Sequence, residues 1–217
     1  MQRERETKLV AIAALLIGVI GLTVGYAAFS NTLSIRSSAT VNPDASTFNV
    51  DFSTSDSAVT AGTVTPTLTP TTLTATDATI DNSANPTISG LSATFTEPGQ
   101  KAVYTFYAYN AGQYVAYLKN ITYANVSGQA SSKICTAKTG TTDSLVQAAC
   151  DDIRLSVKVG SEAAVTGTKS GITGHSLAKA AADTVAVTIE YVTGGDIADG
   201  DFTVAFGDVS LEYRTVD

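Results

Sequence analysis

The chain has 217 residues, 44% of them hydrophobic and 15% charged, with a formal net charge of −7. That size suits one large β domain or two small domains, the composition argues against wholesale disorder, and the acidic balance lacks the footprint of a nucleic-acid binder. A single histidine, His175, excludes a two-histidine zinc site within one chain and His-pair catalysis, and two cysteines cannot build a four-thiolate site.

The N-terminus reads MQRERETK and then LVAIAALLIGVIGLTVGYAAF, an uncharged run of apolar and small residues. Two readings stand side by side. As a signal peptide, the run has a basic start, an apolar core and small residues before a cut between Ala28 and Phe29. As a retained helix, it is just long enough to cross roughly 30 Å of hydrocarbon. Arg3, Arg5 and Lys8 against Glu4 and Glu6 favour an N-terminus left in the cytoplasm, so either reading exports the rest of the chain. Residues 1–28 are therefore a signal peptide or membrane anchor, 29–46 a strand with its linker, and 47–217 the body.

Period-two alternation recurs after the leader, in a composition rich in Thr, Val, Ser and Gly. Leu33, Ile35, Ala39 and Val41 share one parity, with polar residues between them, and the segment Asn42–Ser46 follows as a linker. Phe48, Val50 and Phe52 continue on one face. The Thr-rich run at 60–75 holds Pro66 and Pro70, so it is expected at an edge or in a loop. Weaker strands are expected at 78–80, 88–95, 101–110 and 114–126. The segment AVYTFYAYN has apolar or aromatic residues at both parities, which predicts a central strand covered on each side. Glu97-Pro98-Gly99-Gln100 suits a type II turn. Clean stripes follow at Ile153, Leu155, Val157 and Val159, and at Val185, Val187, Ile189 and Tyr191. Between them, GHSLAKAAAD at 174–183 has helical composition and reads as a short helix or a loop with one turn. Phe202, Val204 and Phe206 sit on even positions and Val209, Leu211 and Tyr213 on odd ones, so a turn or bulge is expected at Gly207-Asp208. The fold class this predicts is all-β, a jelly-roll-like antiparallel β-sandwich preceded by an N-terminal hydrophobic leader helix.

Few residues point to chemistry. Cys135 and Cys150 are expected to form one disulfide in an oxidising compartment, with the polar loop between them projecting from the sheet. His175, between Gly174 and Ser176, is expected at the surface. Asp196, Asp199 and Asp201 form a weak calcium candidate in a glycine-rich loop whose spacing does not match an EF-hand. Asn120-Ile121-Thr122 and Asn125-Val126-Ser127 are glycosylation sequons. Tyr104, Tyr107, Tyr109, Tyr114, Tyr117 and Tyr123 alternate onto both faces of adjacent strands, which suits packing better than a ligand face. Neither HExxH nor GxSxG occurs, and no enzyme activity, cofactor or nucleic-acid partner is expected.

Two motifs together carry a resemblance. The leader ends Tyr26-Ala27-Ala28-Phe29-Ser30, and TEPGQKAVYTFYAYNAGQYVAYLKNITY sets Pro98, Gly99, Asn110, Gly112 and Lys119 in a turn–strand–turn–strand order. Over about 55 residues the chain resembles the TasA and camelysin class of exported proteins. The resemblance implies a jelly-roll subunit of extracellular biofilm-matrix fibres. It also implies kinship with archaeal bundling pilins, in which the N-terminal strand of one subunit completes the sheet of the next. Protease activity, assigned to the camelysin branch, finds no support in a chain with one histidine and no metal-binding signature. The residues themselves suit strand donation: Leu33, Ile35, Ala39 and Val41 are the candidate donor-strand residues, the partner is another copy of the chain, and the contact is head-to-tail. The leader would hold the chain at the membrane before cleavage. The alternative expectation is a monomeric surface module, anchored by an uncleaved helix, that binds a ligand or matrix polymer.

Overall fold

A computed structural model describes residues 48–216 apart from Ala84. The leader, the cut at Ala28 and Phe29, and the candidate donor residues Leu33, Ile35, Ala39 and Val41 lie outside the described residues.

The alternating stripes become strands, and antiparallel sheets account for nearly all regular structure. In chain order the strands are β1 (Val50–Ser53), β2 (Thr63–Val64), β3 (Thr67–Thr69), β4 (Thr74–Ala75), β5 (Ala78–Asp81), β6 (Thr87–Ser89), β7 (Ser92–Phe95), β8 (Lys101–Asn110), β9 (Ala116–Tyr123) and β10 (Lys133–Ala137). A helix, α1 (Asp143–Asp151), then precedes β11 (Ile153–Val159), β12 (Val165–Thr166), β13 (Ser176–Leu177), β14 (Ala182–Tyr191), β15 (Phe202–Phe206) and β16 (Val209–Arg214). One sheet runs β1-β8-β14-β11-β12, with β3 also on β8. A second runs β13-β9-β16-β6-β5-β2, and a third β10-β15-β7-β4. The prolines of the Thr-rich run leave it as two- and three-residue strands, β2 to β4.

The inward faces of all three sheets share one apolar core. Tyr191 of β14 meets Phe95 of β7 and Phe202 of β15 edge-on at 5.9 and 5.6 Å, and Phe52 meets Phe106 at 4.8 Å. Such ring pairs contribute roughly 0.5–1.5 kcal/mol each beyond their buried area. The parity change at Gly207-Asp208 is where the chain leaves the third sheet as β15 and enters the second as β16. A Cβ on Gly207 would lie 2.1 Å from the Ala124 carbonyl oxygen, so only glycine lets the crossing chain pass.

Three expectations need correction. β8 is central, between β1 and β14, but only its even face is buried. Tyr107 and Tyr109, on the other face of that sheet, stay half-buried. The segment at 174–183 forms no helix: Ser176 and Leu177 pair with Tyr117 and Ala116, and a turn at Ala180 (φ 56°) leads into β14. The cysteine loop does not simply project. It contains α1, whose Val146, Ala149 and Cys150 are buried on one helical face. Residues i, i+3 and i+4 of a short amphipathic helix supply the apolar surface that the loop's polar composition hides.

Candidate strand-acceptor groove

Among the described residues, β16 is paired along one side only for part of its length. Against β9 it runs from Val209 to Arg214, but against β6 it pairs only through Val209↔Ile88 and Ser210↔Thr87. The next residue on the β6 side is Pro86, which has no N–H to offer the Leu211 carbonyl. Main-chain directions follow from the neighbouring bonds. Ile121 N–H donates to the Lys169 carbonyl at 2.8 Å and Leu118 N–H to the His175 carbonyl at 3.1 Å, both away from β16. Their antiparallel partners Leu211 and Tyr213 therefore turn their N–H and C=O groups away from β9, toward the side β6 has vacated.

Across this opening lies β1, the edge of the first sheet. Asn110 N–H donates to the Ala181 carbonyl at 2.9 Å, on the β14 side, so its partner Val50 turns its own main-chain groups outward. Phe52 does the same two residues on. There the side chain of Asn82 completes the pairing: Phe52 N–H donates to Asn82 Oδ1 at 2.9 Å, and Asn82 Nδ2 donates to the Phe52 carbonyl at 2.8 Å. A cavity of about 180 Å³ occupies the slot, lined by Phe48, Val50, Asn85, Pro86, Leu211 and Tyr213. Its rim is acidic. Glu212 accepts from Arg214 Nε at 2.7 Å and from Asn120 Nδ2, which hold its carboxyl below the usual range. Burial raises the carboxyl of Asp51, against the opposing hydrogen bond from Asn49.

A second groove, about 280 Å³, lies beside β11 and is lined in part by Ile153, Leu155, Tyr123 and Phe206. Its edge is already guarded. Lys133 Nζ donates to the Ile153 carbonyl at 3.0 Å and also to the Cys150 carbonyl. Burial lowers the pKa of this ammonium, with Asp151 and Asp152 opposing. A lysine on a strand edge discourages a further strand.

The sequence candidates fall elsewhere. The disulfide Cys135–Cys150 forms and ties β10 to α1, with Cα atoms 6.0 Å apart. His175 is buried, not superficial: its Nε2 lies 2.7 Å from Asp183 Oδ2 and its Nδ1 3.1 Å from Glu162 Oε1. Those carboxylates come from β14 and from the loop after β11, and no local pattern around His175 announces them. The hydroxyl of nearby Tyr213 is buried without a hydrogen-bond partner, and burial raises its pKa. Asp196, Asp199 and Asp201 are engaged separately. Asp199 accepts from Thr142 N–H at 2.8 Å and Thr142 Oγ1 at 2.5 Å, and Asp201 lies 4.0 Å from Lys138. Asp196 N–H donates to Asp152 Oδ2 at 2.7 Å. No cluster of three or more metal-ligating side chains occurs among the described residues. Tyr104 is buried and its hydroxyl donates to the Thr76 and Ser92 carbonyls, whereas Tyr114 is 58% exposed, so the tyrosines share no single face. Of the sequons, Asn120 is engaged by Glu212 and Gly171, and Asn125 is exposed in the loop after β9.

No protein-family model, curated protein or solved structure matches this chain.

Proposed function

We propose that the protein is an extracytoplasmic structural subunit, a jelly-roll-like sandwich that polymerises head-to-tail into a fibre. In this reading the ribbon at residues 29–41 of one copy enters the slot between β1 and β16 of the next. The observation that carries the reading is the slot itself, with outward-facing main chain on both walls at Val50, Leu211 and Tyr213. Added main-chain hydrogen bonds supply affinity and alternate side chains supply fit. The ribbon has the required alternation at Leu33, Ile35, Ala39 and Val41, and its one charged residue, Arg36, complements the acidic rim. A contact between unlike surfaces of identical copies does not close on itself and so builds filaments. The Cys135–Cys150 disulfide suits an oxidising, extracytoplasmic location. The resemblance to the TasA and camelysin class supports the same reading, in which the chain has no catalytic role.

Electron microscopy and N-terminal sequencing of the exported protein test it together. Filaments built from chains that begin near Phe29 are expected. Chains that retain Met1 and never form filaments point instead to the anchored monomeric module. Leu33→Asp combined with Ile35→Asp is expected to leave the body folded and abolish polymerisation, because a carboxylate would be buried unpaired against Val50 and Leu211 and beside the like-charged Glu212.

A further inference from the structure

The slot has an end. Along β1 the main chain faces outward at Val50 and again at Phe52, but the two positions differ in what meets them. At Val50 the wall is open to the cavity. At Phe52 the carboxamide of Asn82 accepts from the N–H and donates to the carbonyl, at 2.9 and 2.8 Å. This is the two-bond exchange that a facing strand residue makes in an antiparallel ladder. A primary amide reproduces it because it carries one acceptor and one donor in a single plane. Asn82 follows β5, in the second sheet, so the stop is anchored to the opposite wall from the strand it caps.

We propose that Asn82 sets the register of the strand that docks in this slot, the residue 29–41 ribbon of a second copy. This inference rests on the fibre reading above. A docking strand can pair with Val50 and then meets the amide, so its position along β1 is defined to within one residue pair. A strand residue has a repeat of two between like-facing positions, so the next available register lies two residues away. A cavity of about 180 Å³ holds roughly one large apolar side chain, compared with ~150 Å³ for a cavity that takes benzene. Register therefore decides which ribbon residue fills it. Three facts favour the ribbon as occupant. The chain meets the cavity wall at Phe48; the residues upstream carry the alternation; and Arg36 is the ribbon's one charge, opposite in sign to Glu212 on the cavity lining.

The test uses the full chain in mixed assemblies. One copy carries Asn85→Cys at the cavity wall, and the other carries Leu33→Cys, Ile35→Cys, Ala39→Cys or Val41→Cys. With Asn82 present, one ribbon position is expected to cross-link to the wall far more than the others. With Asn82→Ala on the Asn85→Cys copy, filaments are expected to persist and the cross-link to move two residues along the ribbon, or to spread over both positions. Asn82→Asp keeps the acceptor for Phe52 N–H and loses the donor, and serves as the milder variant if Asn82→Ala unfolds the body. It is expected to weaken the preference for the first position. Filaments whose cross-link stays in place in both variants overturn the register role and leave the fibre reading intact. Failure of the Asn82-containing chains to form filaments at all overturns the fibre reading, and the register role with it.

Discussion

His175 offers the sharpest test of the packing. Its side chain is 8% exposed, with Asp183 at 2.7 Å and Glu162 at 3.1 Å on its two ring nitrogens. Each ring nitrogen thus has a carboxylate within hydrogen-bonding distance. His175→Ala leaves two carboxylates without their ring partner, and they differ in burial: the Asp183 side chain is 18% exposed and Glu162 43%. A buried hydrogen bond to a charged group contributes about 1.5–3 kcal/mol, and a largely exposed contact is worth only about 0–1 kcal/mol. Glu162 therefore contributes little, and the Asp183 contact carries most of the loss, about 2 kcal/mol. For a domain of this size that corresponds to a fall in Tm of roughly 5–10 °C. Urea or thermal unfolding of His175→Ala measures it. A double-mutant cycle with Asp183→Asn should return a larger coupling than one with Glu162→Gln. A loss below about 0.5 kcal/mol, or equal coupling to both carboxylates, would refute the argument that burial decides which contact matters.

Gly207→Ala should destabilise the body strongly, by about 3 kcal/mol or more, because the added methyl meets the Ala124 carbonyl at 2.1 Å and the backbone must shift; denaturant unfolding reads this, and a near-neutral variant would show that the crossing has slack. Cys135→Ser with Cys150→Ser should cost about 3 kcal/mol, as expected for a closed loop of this length, and the same loss should appear in the parent chain under reductant. The Glu212 carboxyl sits below its ordinary value in the folded state, chiefly through Arg214 and then Asn120. Its contribution is thus complete above the unfolded-state pKa and lost as pH falls through the lower folded value. Glu212→Gln should flatten stability against pH in that acidic window, lowering stability slightly at neutral pH and converging with the parent in acid, the effect being small because the carboxylate is 43% exposed. The doubly substituted ribbon, Leu33→Asp with Ile35→Asp, should match the parent in unfolding and differ only in assembly by electron microscopy.

Much of the strand content was legible because it is written locally. Ile153–Val159 and Ala182–Tyr191 alternate cleanly, and a one-residue slip in either would turn its apolar set outward, so pattern and register agree. Pro98-Gly99 announced its turn by the same local logic, with Gly99 at φ 94°. The helix in the cysteine loop was faint, nine residues long with a buried stripe of only Val146, Ala149 and Cys150, too short to stand out from polar surroundings. The two-sided apolar pattern of β8 predicted cover on both faces, yet whether a layer arrives is a property of the other strands.

What the amino-acid sequence alone determined is period and punctuation: which residues face together, where the chain must turn, and that two thiols stand ready to join. Strand order, the burial of His175 between Asp183 and Glu162, and the slot between Val50 and Leu211 were decided only in three dimensions. The physical reason is range. Alternation is set by the geometry of adjacent peptide units, whereas an unfinished edge exists only relative to partners brought from far along the chain, here β6 stopped by Pro86 on one wall and β1 capped by Asn82 on the other.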